Sequence, residues 1–327
     1  MERFDPEFSD PVDYIVKITH RIWEQRGVGL IRERYYDPQT QLRAPLGISS
    51  SADAVVAGTL ETLAEFPDRQ LLADDVVIGD KPTGFYSSHR VRSTATHGGD
   101  GRFGKATGRA LTMLTIADCL CRDNRVVEEW LVREQAGIAR QLGLDPAALG
   151  EAAARANKVM AAPGADALLA RWADPNGLTI VGDQDLAMRV IDAWREIWER
   201  ASLDRIALHY DRAVRLEAPG AELHHGAHNL ERFLFGLLAA IPDGKFTAHH
   251  AIARREPDRP PRVAVRWSYA GRHRGHGRYG APSDAMLVLL GISQVELRGD
   301  RILNEWMLVD DTSVFAQIAA ATATRES

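Results

Sequence analysis

The chain contains the stretch Val126-Val127-Glu128-Glu129-Trp130, and a similar stretch, Ile302-Leu303-Asn304-Glu305-Trp306, follows it at an offset of 176 residues. Three further blocks recur in the same order at offsets of 175 or 176 residues. They pair Ile22-Trp23-Glu24 with Ile197-Trp198-Glu199, Phe66-Pro67-Asp68 with Ile241-Pro242-Asp243, and Gly101-Arg102-Phe103-Gly104 with Gly277-Arg278-Tyr279-Gly280. This period is much longer than the unit of a solenoid repeat. The sequence therefore predicts a duplicated whole domain.

Bulk composition excludes several classes of protein. The 327 residues suffice for two domains of ordinary size, and the net charge of −5 argues against a nucleic-acid or membrane-surface role. No run of roughly 18 apolar residues predicts a membrane-spanning helix, and the first residues lack the apolar core of a signal peptide. The two cysteines, Cys119 and Cys121, share one strand face and are interpreted as reduced thiols. We therefore expect a cytoplasmic protein.

Each half begins with helical periodicity and continues with strand-like stretches. The first half predicts helices over 11–36, with a turn near Gly27, and over 53–65, and strands over 41–44, 74–79, 84–95, 109–120 and 125–134. The second half predicts helices over 186–210, 229–240 and 312–321, and strands over 213–217, 246–253, 262–270, 284–296 and 301–310. Helices followed by a meander of strands indicate an α+β domain with helices on one face of a curved antiparallel sheet.

The segment between the halves is rich in alanine. Pro163-Gly164 interrupts it, and Pro175-Asn176-Gly177 ends it. We interpret residues 146–183 as a linker of one or two helices. The predicted organisation is therefore a first domain over 1–145, a helical linker, and a divergent second domain over 184–327.

The repeated motifs resemble the SnoaL-like polyketide cyclase family of the nuclear transport factor 2-like superfamily. Five motifs over residues 11–144 carry the resemblance: Phe66-Pro67-Asp68, Thr96-His97, Gly101-Arg102-Phe103-Gly104 with Thr107-Gly108-Arg109, Glu128-Glu129-Trp130 and Gln141-Leu142-Gly143. Residues 186–318 match more loosely, because Ser283-Asp284-Ala285 replaces the Thr-Gly-Arg triplet and the Gln-Leu-Gly end is lacking.

The resemblance implies two tandem cone-shaped α+β barrels, each a curved sheet wrapped around helices with a pocket inside. It implies no cofactor and no metal, and proton-transfer chemistry on small carbonyl compounds. It also implies pairing of the sheets' outer faces, which a fused duplicate would satisfy within one chain as a pseudo-dimer. Further homo-oligomerisation stays open.

The resemblance also suggests candidate acid/base residues. The family's aspartate follows the tryptophan by four residues, which gives Glu134 in the first half and Asp310 in the second. Strand alternation places Trp130 and Glu134 on one face and Glu129 on the other. A carboxylate inside an apolar cone has its pKa raised towards a value useful for proton transfer.

Proton removal next to a carbonyl also needs a donor for the enolate oxygen. The candidates are His97, Arg109, Tyr35 or Tyr36 in the first half, and Tyr210, His249, His250 or His273 in the second. Trp130 and Trp306 complete the candidate ligand-binding set.

Structural alternatives exist for each of these residues. Glu134 can be solvated or ion-paired, Asp310 can cap the final helix, Arg109 can form a surface salt bridge, and Trp130 and Trp306 can be core anchors. The histidines of the second half have no strict metal-binding spacing, so no metal is predicted. The basic, glycine-rich stretch 271–278 is interpreted as a hairpin loop rather than a nucleic-acid site.

Three functional hypotheses follow. The first is a cofactor-independent acid/base enzyme, a cyclase, isomerase or dehydratase acting on a small, mostly apolar carbonyl compound. The second is a non-catalytic ligand-binding or structural protein. The third is a division of labour in which one half binds or braces and the other reacts. A cone filled by its own side chains would argue against activity in that half, and an accessible buried carboxylate with a nearby donor would argue for it.

Overall fold

The structure, a computed structural model, describes residues 5–156, 165–174 and 177–326. The chain divides into two compact units. The first contains Met1–Arg133 and Ile138–Leu144, and the second contains Glu134–Gly137 and Asp145–Ser327. The predicted linker breaks at Pro163-Gly164 and Pro175-Asn176 lie outside the described residues.

The first unit is an α+β domain built on a six-stranded mixed sheet. Its elements are α1 (Pro11–Trp23), a π-helical turn (Ile31–Tyr35), β1 (Tyr36–Ala44), β2 (Gly47–Ser49), α2 (Ala52–Glu65), β3 (Gln70–Lys81), β4 (Gly84–Thr96), β5 (Ala110–Arg122) and β6 (Arg125–Arg133), followed by α3 (Gln135–Leu142). The strand order is β2-β1-β6-β5-β4-β3. Strand β1 pairs parallel with β6, and the other pairs are antiparallel.

The second unit repeats this architecture. Its elements are α4 (Pro146–Ala156), α5 (Ala165–Trp172), β7 (Thr179–Gly182), α6 (Gln184–Glu199), α7 (Ile206–His209), β8 (Tyr210–Ala218), β9 (Glu222–His225), α8 (Ala227–Ala240), β10 (Lys245–Glu256), β11 (Arg259–Arg272), β12 (Met286–Arg298), β13 (Arg301–Val309) and α9 (Asp311–Glu326). The order β9-β8-β13-β12-β11-β10 matches that of the first sheet. Strand β7, which the sequence did not predict, adds a seventh strand parallel to β10.

Local sequence signals explain most helix ends. Asp10 and Ser51 begin α1 and α2, because each side chain accepts a hydrogen bond from the backbone N–H three residues on. The prediction of one helix over 186–210 is wrong, since α6 ends at Glu199. Ala201 follows with a left-handed backbone, φ 49°, which interrupts the helix before α7.

The repeated motifs are mostly structural. Asp68 Oδ1 accepts a hydrogen bond from Thr96 N at 2.7 Å, and Asp243 Oδ1 accepts the equivalent bond from Arg272 N at 2.8 Å. Gly99 lies so close to the end of α2 that a Cβ there would approach Ala64 O to 1.9 Å. In the first unit these contacts hold the residues after α2 against the end of β4 and the loop that follows it. In the second unit the Asp243 contact holds the residues after α8 against the end of β11.

The core of each unit lies between one helix, α1 in the first unit and α6 in the second, and one side of the sheet, which we call the inner face. In the first unit Ile15, Ile18 and Ile22 of α1 belong to one cluster with Val76 and Cys119 of the sheet. In the second unit the cluster is larger and includes three tryptophans, whereas the buried residues of the first cluster include none. Its aromatic members include Trp194, Trp198, Phe246, Trp267 and Tyr269.

Two glycines make room for this aromatic cluster. A Cβ on Gly291 would lie 2.3 Å from the Trp267 ring, and a Cβ on Gly244 would lie 2.1 Å from the Tyr269 ring. Trp198 contacts both rings edge-on, with centroid distances of 5.0 Å and 5.6 Å. The interior of the second unit is therefore occupied by its own side chains.

We predict that Gly291→Ala destabilises the second unit by about 1–3 kcal/mol, because the added methyl group displaces Trp267 from a packed core. Urea unfolding followed by tryptophan fluorescence measures the change. Gly236→Ala is the matched control, since its Cβ meets only Arg278 N at 3.9 Å. Equal stability of the two variants would contradict this account of the packing.

Candidate functional site

A buried glutamate bonded to a tyrosine occupies the inner face of both units. In the first unit the Tyr36 hydroxyl donates to Glu129 Oε2 at 2.9 Å. In the second the Tyr210 hydroxyl donates to Glu305 Oε2 at 2.7 Å and accepts from Trp194 Nε1 at 2.9 Å. The pair joins β1 to β6 in the first unit and β8 to β13 in the second. Both carboxyl groups are buried.

Burial gives both carboxyl groups an unusual proton affinity. It raises the pKa of Glu129 to about 7, although the Tyr36 hydrogen bond and the charge of Arg133 act in the opposite direction. It also raises the pKa of Glu305 to about 7, against the lowering effect of the Tyr210 hydrogen bond. A carboxyl group with this pKa can both accept and release a proton near neutral pH.

Polar side chains surround the pair in the first unit only. Strand register places Ser87, Cys119 and Glu129 side by side on the inner face. The next inner position of β4 holds His89, opposite Ala117. Arg133 lies on the same face of β6, four residues after Glu129, and is paired with Thr115. The inner face of the first unit therefore combines an acid, a base and a cation.

The equivalent positions in the second unit hold valine or glycine. When the two sheets are aligned by strand register, Ser87 corresponds to Val263, His89 to Val265, Cys119 to Val295, Thr115 to Gly291 and Arg133 to Val309. The glutamate and tyrosine are kept, but the groups that would surround a polar ligand are absent among these positions.

Several buried polar atoms of the first unit have no protein partner. Among the described residues, His89 Nε2, Thr115 Oγ1 and Arg69 Nη1 form no hydrogen bond, and in the second unit the same holds for Glu305 Oε1. Burial lowers the pKa of His89 to about 4, so its imidazole is neutral at pH 7. Buried polar groups are normally satisfied, and a cluster of exceptions marks a place where a ligand or water is expected.

The two carboxylates predicted as bases lie at helix starts. Asp310 Oδ1 accepts hydrogen bonds from Thr312 N at 3.1 Å and Thr312 Oγ1 at 2.6 Å, and so caps α9. Glu134 precedes α3 and accepts a hydrogen bond from Ala221 N. Both are buried. Asp310 thus has the capping role weighed as its alternative, and catalysis by either residue stays a prediction.

His97 and His273 hold equivalent loops. His97 Nδ1 lies 3.1 Å from Thr107 Oγ1, and His273 Nδ1 lies 3.0 Å from Ser283 Oγ. Their backbone N–H groups donate to Arg109 O and Ala285 O, each at 2.9 Å. Both imidazoles are fully buried, an arrangement typical of a loop brace.

The remaining predicted residues do not converge on one site. Trp130 and Trp306 lie on the sheet face opposite Glu129 and Glu305, and Arg109 is exposed. Tyr35 accepts a hydrogen bond from Arg21 at 2.8 Å, and Tyr210 belongs to the pair described above. His249 Nε2 lies 2.8 Å from Ser268 Oγ, and burial lowers the pKa of His249 to about 4.

The prediction missed Glu129, Glu305, His89 and Arg69. A signal was present, because the repeat keeps Glu129 and Tyr36 as Glu305 and Tyr210. Within the described residues, no cluster of three or more histidine, cysteine or carboxylate side chains could hold a metal ion. No helix of the described chain is long and apolar enough to cross a membrane.

We predict that Asp310→Ala lowers the free energy of unfolding by about 1 kcal/mol, whereas Asp310→Asn costs little, because asparagine also caps helices. Thermal unfolding of the two variants measures the difference. Loss of equal size in both would contradict the capping role.

Glu305 also predicts a pH dependence of stability. The folded protein keeps a proton on Glu305 up to about pH 7, whereas the unfolded chain loses it near its ordinary pKa of 4.5. Stability therefore falls as pH rises through this window, by about 1.4 kcal/mol per pH unit for each such group.

Glu305→Gln should remove one group's share of this loss, so the variant gains on the wild type between pH 5 and 7. Urea unfolding at a series of pH values measures it. The exposed Glu151→Gln, also in the second unit, is the control. A slope that is the same in wild type and Glu305→Gln would disprove the raised pKa.

Comparison with solved structures finds proteins the size of one unit. IdmH from Streptomyces antibioticus, a candidate polyketide cyclase, is 23% identical, with a TM-score of 0.36 over 41% of this chain and 99% of its own. A candidate polyketide cyclase from Acidithiobacillus ferrooxidans is 17% identical, with a TM-score of 0.37 over 43% of this chain and 99% of its own. TsrD from Streptomyces laurentii is 18% identical, with a TM-score of 0.35 over 41% and 97%.

Among curated proteins, none matches the chain. A family model does match, over residues 188–318, and it describes SnoaL-like polyketide cyclases. This segment runs from α6 to α9 and includes the whole sheet of the second unit except β7. The resemblance inferred from the motifs is thereby confirmed for residues 188–318, which match the model of the SnoaL-like polyketide cyclase family.

Proposed function

We propose that the first unit is a cofactor-independent acid/base enzyme acting on a small, mostly apolar carbonyl compound, and that the second unit takes no part in the chemistry. The observation that carries the proposal is the contrast between the two inner faces. The sheet face that carries Glu129 also carries His89, Arg133 and hydroxyl groups, whereas the face that carries Glu305 has aliphatic and aromatic side chains at the equivalent positions. Polar groups buried without partners are retained at a cost, which function can justify.

The chemistry assigned to the first unit is proton transfer. The Glu129 carboxylate removes a proton from the carbon next to the carbonyl, and the electron pair of the C–H bond moves onto the carbonyl oxygen as an enolate. Neutral His89 supplies an N–H group near the same face and Arg133 supplies a cation, both suited to stabilising the enolate oxygen.

The reaction closes without an external reagent. In an isomerisation, protonated Glu129 returns the proton to another carbon of the same enolate. In an intramolecular aldol cyclisation, the enolate carbon attacks a second carbonyl, and the proton passes to the resulting alkoxide. Neither route changes the oxidation state of the substrate overall, which agrees with the expectation that no cofactor takes part.

A second candidate function is ligand binding without catalysis. The observation that favours it is the Tyr210–Glu305 pair, because the second unit keeps this pair in a filled interior. A Glu–Tyr bond can therefore be purely structural in this fold. The two candidates differ in whether Glu129 exchanges a proton with the ligand.

We predict that the wild type catalyses hydrogen–deuterium exchange next to the ketone in methyl-ketone acids of the form CH3–CO–(CH2)n–COO⁻, n from 2 to 8, and in their methyl esters. Glu129→Gln should slow this exchange by roughly 100-fold or more, because the amide cannot accept the proton. NMR in D2O near pD 7 measures the rate.

Glu305→Gln is the matched control, since it removes an equally buried carboxyl with the same kind of tyrosine partner. We expect it to leave the exchange rate unchanged. Absence of exchange in the wild type, or equal loss in both variants, would overturn the proposed catalysis. Ligand binding without exchange would instead support the binding function.

A further inference from the structure

An arginine is buried at the inner face of the first unit and forms no ion pair within residues 5–156, 165–174 and 177–326. Arg69 lies between α2 and β3 and is 2% exposed. Its Nε and Nη2 donate to Ser93 Oγ at 3.1 Å and 3.0 Å, and its guanidinium lies 4.6 Å from the centre of the Trp23 ring. Both partners are neutral, so neither balances the charge.

The charge next to Arg69 is also positive. Arg133, on the inner face of β6, acts on Arg69, and together with burial it lowers the pKa of Arg69 well below its ordinary range. Among the described residues, Arg69 Nη1 has no hydrogen-bond partner. A guanidinium buried next to a second positive charge is destabilising, and an anion bound at Arg69 would offset this cost.

The second unit has uncharged residues at the positions of Arg69 and Ser93. Gly244 stands where the first unit has Arg69, and Tyr269 stands where it has Ser93. The Tyr269 ring occupies the space beside Gly244, and its hydroxyl donates to Ile241 O at 3.1 Å. The fold therefore accommodates uncharged residues at this position, so the scaffold does not require the arginine.

We propose that Arg69 binds a carboxylate group of the ligand, so that the substrate class is an elongated keto acid or a similar carbonyl compound with a terminal acid. A guanidinium presents paired N–H groups that match the two oxygens of a carboxylate. This inference rests on the proposed function, because it names the substrate of the same site.

The distance between the two ends of the site sets the length of this ligand. Arg69 bonds to Ser93, and Glu129 lies in register with Ser87 through Cys119. Six residues of strand separate Ser87 from Ser93, about 20 Å at 3.3 Å per residue, and the Arg69 guanidinium lies at the Ser93 end. A carboxylate held at Arg69 is therefore a long chain away from a reacting carbonyl near His89 and Glu129, which favours the longer ligands.

The methyl-ketone acids and their methyl esters test the inference by binding alone. Isothermal titration calorimetry of the wild type should show the acids binding tighter than the matched esters, with the preference rising for longer chains. Arg69→Met should weaken binding of the acids by roughly tenfold or more and leave the esters unchanged. Arg69→Lys should restore part of the preference, since it keeps the charge.

The exposed Arg32→Met serves as the control, because Arg32 pairs with Asp53 at the surface. The unliganded Arg69→Met variant should also melt at or above the wild-type temperature, whereas a structural role for Arg69 would lower its melting temperature. Equal binding of acids and esters, binding of neither, or a loss shared by acids and esters in Arg69→Met would overturn the inference.

The outcome is separable from that of the proposed function. Preferential binding of acids without hydrogen–deuterium exchange would uphold the carboxylate site and reject catalysis. Exchange that proceeds equally in esters and acids, and does not depend on Arg69, would uphold catalysis and reject the carboxylate site.

Discussion

The hydrogen bond between a buried glutamate and a buried tyrosine is the constraint on which both units depend. It links β1 to β6 in the first unit, where Tyr36 meets Glu129, and β8 to β13 in the second, where Tyr210 meets Glu305. The parallel pairing of these two strands joins parts of the chain about ninety residues apart. An isolated carboxyl group could not be buried there without a large cost, and the tyrosine hydroxyl offsets part of it.

Around this shared pair, exchanges of large and small side chains decide what each interior contains. Where the second unit has Trp267 beside Gly291, the first has Val91 beside Thr115. A similar exchange replaces Arg69 and Ser93 by a glycine and a tyrosine. Close packing makes these exchanges coupled, because a core has no room for an aromatic ring unless a neighbour shrinks. The second interior is thereby filled and apolar, and the first keeps its polar groups.

The sequence predicts the fold well because the repeated motifs act locally. The Pro-Asp and Gly-Arg-aromatic-Gly blocks fix the ends of helices and loops, as the Asp68 and Gly99 contacts demonstrate. Alternation also separates Glu129 from Trp130 correctly. It cannot say which side faces the first helix, because both sides of β6 carry buried residues: Trp130 and Val132 on one, Glu129 on the other. Hydrophobicity therefore does not distinguish the two faces. The prediction selected the carboxylates just beyond the strand, Glu134 and Asp310, instead.

The family match and the candidate site consequently fall in different units. The match covers residues 188–318, where the scaffold motifs are kept and the interior is closed by Trp198, Trp267 and Tyr269. Motifs that build a fold survive whether or not its interior binds anything, so membership of a family says little about which copy of a domain reacts. The inner-face positions carry that information. They differ between the units in charge and volume at the same register: at these positions the first unit has His89, Arg133 and Arg69, and the second has Val265, Val309 and Gly244.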